Sequence, residues 1–599
     1  MLAPLAPHHL RQVQQLHASL KAGDRMAALE GFDALPAAVQ GHAQGLVLRA
    51  HILQAFAKLP EARDALEAAV AQAPGYAGAH AALGNLLDEL GEGTRAVQAL
   101  RRAAELAPDN SDVALDLALA ASNAGDYALA EQAAARAIRS APGVARGWAV
   151  MAHLERTRGN VDLAAQLYRR AIDVDAGDAR SRHNLAVLLR EDGRPAEALA
   201  EVEAAVTHGS VPPETAALGA HLLTDLDRPD EAVRAYRQLL ALAPDHLDAQ
   251  ETLALLLPQL GRGGEALDGY RAALRAGPNA PALWASALKT AFALQDYEQL
   301  GRWAAEAEAV LGPSPEIRVA RAAALSRLGD QRQAVDLLGD VLAAVPDHGS
   351  AHQHLAYALV VAGDPGAAER HALRAAELDP TDQAPWALLT VIWRLLEDPR
   401  EAWLADYDRL VMPIDLDAAP GFFDELAARL HDWHTMREHP AEQSLRGGTQ
   451  TRGNLFDRRD PLIGRLVAQI RTGVLNRLRQ LPDDPSHPFL SRKTQHIAFA
   501  GSWSVRLRSE GFHIAHIHQR GWMSSALYVA LPPEVGSGDA GALAFGIPDK
   551  ALGLDLPPRR VERPQVGRLV IFPSYLWHGT LPFESEQPRL TVAFDALPA

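Results

Sequence analysis

Three histidines fall within six residues in the segment Gly511-Phe512-His513-Ile514-Ala515-His516-Ile517-His518-Gln519-Arg520-Gly521-Trp522. A fourth, His578, closes Phe572-Pro573-Ser574-Tyr575-Leu576-Trp577-His578-Gly579, and Arg589 follows eleven residues later. The chain has no cysteine, which excludes disulfides, thiolate-bound zinc, iron–sulfur clusters and thiol catalysis. A protein-bound metal must therefore use His and carboxylates. Three neutral imidazoles suit Fe, Zn, Cu or Ni. Arg589 begins Arg589-Leu590-Thr591-Val592-Ala593-Phe594. On a strand Arg589 and Thr591 share a face, and a guanidinium fork beside a hydroxyl suits a carboxylate. The set reads as a metal site plus an anion clamp.

Such a site needs elements to hold it. From residue 495 the hydrophobic period is two. His496–Ala500, Ser502–Arg508, Phe512–His518, Ser525–Leu531, Ala542–Gly546, Arg568–Phe572 and Leu590–Phe594 all read as strands, separated by Gly and Pro clusters. Short strands at this density predict a sandwich or barrel, and a jelly roll fits. If Phe512–His518 is a strand, His516 and His518 face one way and His513 the other, as a bystander. His578 lies in the turn after Arg568–Phe572, which a jelly roll brings over the His-x-His strand. A lone His-x-His is an ordinary surface or structural feature, and an Arg among apolar residues is ordinary too. The pairing with His578 and the spacing to Arg589 favour a metal site. Trp503, Arg506, Tyr528 and Trp577 are candidates for the pocket wall, and Arg446, Gln450 and Thr451 for a lid or substrate loop.

Upstream, Leu410–Gly421 reads as a linker or first edge strand. Helical spacing marks Phe422–His434 and Pro461–Leu481. Between them Gln443–Thr451 is polar and Gly-bearing, and is expected to lie outside the core.

Before residue 405 a 34-residue phase runs through the chain. Gly23, Gly91, Gly125, Gly159, Gly193, Gly261, Gly329 and Gly363 share it, with Asp227, Gln295 and Glu397 in other slots. Five residues after each turn comes a small residue, from Ala28 and Ala62 to Ala368 and Ala402, broken by Leu300. Pro74, Pro108, Pro142, Pro244, Pro278, Pro346 and Pro380 close repeats. Glycine accepts the left-handed conformation where a helix stops, alanine permits close helix approach, and proline ends the second helix. His183, His221 and His352 show no shared spacing and are expected on the surface or in a groove.

A chain of 599 residues exceeds one core, so at least two domains are expected. Net charge is −16 with no dense Lys/Arg run, which argues against a nucleic-acid partner. No apolar run approaches the ~20 residues of a membrane span, and the first residues lack a signal-peptide pattern. A cytoplasmic location is the expectation.

Residues 77–110, with Leu83, Gly84, Gly91, Ala96, Leu100, Ala103 and Pro108, resemble a tetratricopeptide repeat, and Trp148, Trp284 and Trp386 occupy its large first-helix position. The resemblance covers about residues 10–405. It implies an α-solenoid of about twelve repeats whose concave face binds a peptide or protein, or which mediates self-association. The C-terminal set is similar to the Fe(II)/2-oxoglutarate-dependent oxygenases, built on a double-stranded β-helix. Their motif is His-x-Asp/Glu, a distal His, and an Arg or Lys about ten residues on. More narrowly, His516-x-His518-x-x-Gly521-Trp522, Ser524-Ser525-Ala526-x-Tyr528-Val529 and Phe572-Pro573-Ser574-x-x-Trp577-His578-Gly579-Thr580 look like a bacterial subfamily fused to tetratricopeptide repeats, over about residues 430–599. The resemblance implies domains at 1–405 (repeats), 406–494 (helical support) and 495–599 (oxygenase core). It implies Fe(II), 2-oxoglutarate and O2, with metal ligands His516, His518 and His578, and with Arg589, Thr591, Tyr528 and Arg506 around the cosubstrate. The chain departs from the family at 518, where His stands for the carboxylate. Either His518 is a third ligand, or it stands behind an iron held by two histidines and water; a third possibility is His513 as ligand, which its strand phase opposes. A cupin-type enzyme also uses His-x-His, but its following Glu would fall at Trp522 or Met523. The non-enzyme alternative is a repeat scaffold with an inactive metal-binding barrel.

Overall fold

The computed structural model describes residues 5–209, 211–434, 445–451, 453–458, 460–535 and 538–599. It divides into two compact units, Met1–Val211 and Pro212–Ala599.

The first unit is a run of paired helices from Pro7–Lys21 to Pro195–His208. The second continues the pairs from Pro213–Asp225 to Gln383–Leu395 and then becomes largely β. The repeat phase sets the backbone in both. Every residue of the series from Gly23 to Glu397 has positive φ, including Ala57 (56°), Asp227 (58°), Gln295 (59°) and Glu397 (54°). The turn thus imposes the left-handed conformation even where a side chain resists it. Where aspartate follows the turn it caps the next helix: Asp126 accepts from Leu129 N–H, and Asp330 from Gln333 N–H. The alanine series is buried from Ala28 to Ala368, whereas Ala402 is exposed on the short last helix Arg400–Ala405.

One expectation about the repeats is overturned. His352 does share a spacing. His80, Trp148, Gln250, Trp284, His352 and Trp386 stand in one repeat phase, each bonded to the carbonyl of the proline six residues before it. Proline ends each second helix and leaves a carbonyl that needs a donor, and this side chain supplies it. His352 is therefore buried, while His183 and His221 are half-buried.

The β region contains β1 (Met412–Asp415), β2 (Leu445–Gln450), β3 (Ile497–His513), β4 (Met523–Ala530), β5 (Leu543–Phe545), β6 (Arg560–Glu562), β7 (Arg568–Pro573), β8 (His578–Thr580) and β9 (Arg589–Pro598). They form a six-stranded antiparallel sheet, β1-β7-β4-β9-β3-β2, and a three-stranded sheet, β6-β5-β8. Leu410–Gly421 does supply an edge strand, β1, paired with β7. Helices Phe422–Trp433 and Pro461–Leu478 form as the spacing predicts.

Three strand expectations change. His496–Ala500 and Ser502–Arg508 merge into β3, which absorbs an irregularity near Gly501. Phe512–His518 is not one strand, because β3 ends at His513. The polar stretch at 443–451 is largely buried where it is described, with Arg446 half-buried and Gly447 exposed, while 443–444 lie outside the described residues. Leu445–Gln450 pairs with β3, and Leu445 and Thr449 are fully buried. Its polar groups find partners: Thr449 Oγ1 bonds His434 Nδ1 at 2.9 Å, and Thr451 Oγ1 accepts from Ser504 N–H at 2.9 Å. Its glycine is required, since a Cβ on Gly448 would lie 2.6 Å from the Arg506 carbonyl.

His434 carries a pH prediction. Its ring is buried between Thr449 and Ser504, and burial, then the Arg506 charge, push its pKa from 6.5 to about 3. Below pH 6.5 the unfolded chain takes up a proton that the native ring refuses until about pH 3. Stability is thus complete above that window and falls as pH drops through it. His434→Gln should be less stable at neutral pH, with a shallower pH dependence between these limits. Urea midpoints measured across that range check this.

Candidate metal centre

Beyond His513 the chain leaves the sheet and passes over β8. His516 and His578 form an isolated antiparallel bridge, each N–H donating to the other's carbonyl at 3.0 and 3.1 Å. The His518 N–H donates to Ser574 O at 3.0 Å. These backbone bonds bring the three imidazoles together. Ring centroids lie 5.1 Å apart for His516–His518, 4.2 Å for His516–His578 and 5.2 Å for His518–His578. One ring nitrogen from each lies within 4.8 Å of the others, the one such cluster among the described residues.

The hydrogen bonds define the tautomers. His516 Nδ1 is 2.8 Å from Ile514 O, His578 Nδ1 is 2.9 Å from Leu576 O, and His518 Nδ1 is 2.7 Å from Asp595 Oδ2. Carbonyl and carboxylate oxygens only accept, so each Nδ1 carries a proton, and in the neutral ring Nε2 keeps the lone pair. That is the arrangement a metal-binding histidine needs. Burial lowers His578 well below its ordinary value and His516 to about 3, so both rings are neutral at physiological pH. Burial also acts on His518, but the charge and hydrogen bond of Asp595 outweigh it and raise its pKa.

The rings open on a cavity of about 310 Å3, whose walls come from both sheets. Arg589 and Thr591 line it, as do Gln450 and Trp503. Trp503 stacks on His518, centroids 5.8 Å apart at 10°. Arg589 is 2% exposed and sits over the Tyr528 ring at 5.0 Å. Among the described residues, the Arg589 Nε and the Tyr528 hydroxyl make no hydrogen bond of good geometry, although the two side chains interact with each other. A buried, unsatisfied guanidinium nitrogen is costly unless an anion completes it. This fits the carboxylate of a dicarboxylic cosubstrate.

Several expected site residues go elsewhere. On β3, Trp503 and Val505 face the cavity, so Arg506 faces away and donates to His434 O at 3.1 Å. Trp577 donates to Ala387 O at 2.9 Å. Arg446 donates to Leu445 O, and Thr451 is tied to Ser504. Tyr528 reaches Arg589 but not the cavity wall. In the other direction, His513 lines the cavity, its ring 5.8 Å from that of His516. The chain bends after β3, so alternation does not carry across to His516.

The sequence alone does not pair Asp595 with His518, although it holds one signal. Asp595 has the same parity on β9 as Arg589 and Thr591. Nor does the sequence pattern tie the repeat helix Gln383–Leu395 to the site. Its Gln383 N–H donates to Gln519 O at 3.0 Å, beside His518, and its Ala387 carbonyl receives Trp577, beside His578. Arg394 donates to Gly546 O at 2.8 Å, next to Phe545, which pairs with His578.

Family models match this chain in two regions. Residues 501–595 match "Putative 2OG-Fe(II) oxygenase", and tetratricopeptide-repeat models match 47–111, 89–154, 149–213, 218–281 and 319–383. The chain matches a fusion of tetratricopeptide repeats with a 2OG-Fe(II) oxygenase-family domain. Similar solved structures include a tetratricopeptide repeat protein from Parabacteroides merdae, 18% identical, covering 42% of this chain and 100% of that one, with a TM-score of 0.34. Another is PilF of Pseudomonas aeruginosa, 19% identical, covering 35% and 96%, TM-score 0.30. A third is Naa15/Naa10 bound to HypK-THB, 17% identical, covering 66% and 67%, TM-score 0.27. No functional conclusion follows from these likenesses. No curated protein matches significantly. Among the described residues, no helix is long and apolar enough to cross a membrane.

Proposed function

We propose that this fusion is an Fe(II)- and 2-oxoglutarate-dependent oxygenase that hydroxylates a peptide or protein side chain recruited by its repeats. In this reading residues 495–599 form the oxygenase core, 406–494 its support, and 1–405 the recruiting array. The observation that carries it is convergence: three histidines with protonated Nδ1 atoms and a buried, incompletely bonded Arg589 meet in one cavity. His516, His518 and His578 would hold the iron. Iron with bound 2-oxoglutarate and O2 supplies an oxidant, with release of CO2 and succinate. Arg589 would grip the distal carboxylate of the cosubstrate, with Thr591 assisting and Tyr528 supporting the guanidinium. Trp503 and Phe572 pack on His518 and His578 and restrict water around the ligands.

The test is anaerobic titration with Fe(II) and 2-oxoglutarate, followed by O2 and a succinate assay. Metal-dependent 2-oxoglutarate binding is expected. Removing one partner of a buried charge pair costs about 2–5 kcal/mol, so Arg589→Ala should weaken 2-oxoglutarate binding by roughly 30- to several-thousand-fold. The same variant should leave metal affinity nearly unchanged. Equal 2-oxoglutarate binding by the variant would exclude the cosubstrate role.

A further inference from the structure

We propose that Asp595 is a positioning residue for the metal. It fixes His518 in the ligand tautomer and sets a full negative charge one imidazole away from the ion. It thereby replaces, from behind, the carboxylate that position 518 lacks. This rests on the three-histidine reading of the metal centre.

The three ligand candidates are not equivalent. His516 and His578 give Nδ1–H to neutral backbone carbonyls, at 2.8 and 2.9 Å. His518 gives Nδ1–H to an anion, at 2.7 Å. An acceptor behind a histidine orients the ring and raises its basicity, and a charged acceptor does so more strongly than a neutral one. Three neutral imidazoles leave a divalent ion's charge undiminished, and Asp595 reduces the charge of the assembly by one, as a carboxylate ligand would.

The carboxylate is itself held. Asp595 lies opposite Ser524 in the β4–β9 register. The Ser524 hydroxyl donates to Asp595 Oδ1 at 2.7 Å and lies 2.8 Å from Ser574 Oγ. Each carboxylate oxygen thus has a separate partner, Oδ1 the serine and Oδ2 the histidine. Gly521 leaves room for this network, since a Cβ there would lie 2.4 Å from Ser574 Oγ and 3.6 Å from Asp595 Oδ1. Asp595 stands on the strand that also carries Arg589 and Thr591. One strand face thereby supports both halves of the site.

The experiment uses the full chain and Co(II) as the probe, with affinity from competition titration and coordination from the visible d–d absorption. Asp595→Asn keeps an acceptor for Nδ1–H but loses the charge, and Asp595→Ala loses both. Co(II) affinity should fall in the order wild type, Asn, Ala, spanning the ~10–100-fold range of lost outer partners, with a shifted d–d band. In a His518→Ala background, Asp595→Asn should be silent, because the path to the metal is gone. Wild-type affinity and spectrum in Asp595→Asn would overturn the proposal, as would an equal loss in the His518→Ala background. If wild type itself binds no Co(II), the three-histidine reading fails, and this inference fails with it. Near-UV circular dichroism, unchanged in the isosteric Asn variant, separates these outcomes from misfolding.

Discussion

His578→Ala is expected to weaken metal binding more than the loss of any outer partner does, while leaving the fold in place. The side chain supplies one of three converging nitrogens, and two histidines alone form a weak, water-filled site. The loss of affinity should exceed the ~10–100-fold typical of an outer partner. The backbone at 578 keeps its bridge to His516 and its pairing with Phe545, so the strand survives truncation of the ring. The ring does pack on Phe572, centroids 4.5 Å apart, so some stability is lost with it. His578→Gln restores much of that volume without an equivalent ligand and serves as the packing control. The informative contrast is His513→Ala. His513 lines the same cavity, yet it lies outside the cluster of three. That variant should bind Co(II) like wild type. Isothermal titration with Co(II) checks both variants, and loss of binding in His513→Ala would redraw the ligand set.

How far the sequence discloses this architecture depends on the range of the interaction. The repeats are legible because each marker answers a local demand: a left-handed turn, a close helix contact, a helix stop. The turn's demand is strong enough that Asp227, Gln295 and Glu397 adopt it without being glycine. His516, His518, His578 and Arg589 are legible because their spacing is short and their chemistry specific. What alternation hides is a break in the strand. Alternation puts His513 on the opposite face only if β3 runs on to His518, and the chain bends first. Arg506 shows the converse, since an unbroken β3 fixes its direction away from the cavity. Contacts distant in sequence are hidden for another reason. Asp595 meets His518 across 77 residues, and Trp577 meets Ala387 across 190. Nothing in local composition announces such pairs. Parity with Arg589 and Thr591 is the one local trace that Asp595 leaves.

The second large effect concerns truncation. Expressing residues 406–599 alone should give an insoluble or unfolded product, whereas residues 212–599 should fold and bind Co(II). One hydrophobic core runs from Ala356 to Ala596 and includes Leu388, Leu389, Ile392 and Trp393 with Trp522, Ile571 and Phe572. Losing a buried residue of this size costs about 2–5 kcal/mol. Losing four at once, about 8–20 kcal/mol, matches or exceeds the ~5–15 kcal/mol that holds a typical domain. The cut also orphans buried groups beside the site. The Trp577 Nε1–H loses Ala387 O, and the Tyr575 hydroxyl loses Leu404 O at 2.8 Å. Both lie within three residues of His578, while Gln519, next to His518, loses the Gln383 N–H as a donor to its carbonyl. The repeat helix Gln383–Leu395 is thus part of the support of the metal centre. A cut at 212 severs none of these contacts, because that residue opens the second compact unit. Size-exclusion chromatography and thermal melting of both fragments, followed by Co(II) titration, check the prediction. A soluble, cooperatively melting 406–599 fragment that binds Co(II) as tightly as the full chain would show that the helix is dispensable to the site.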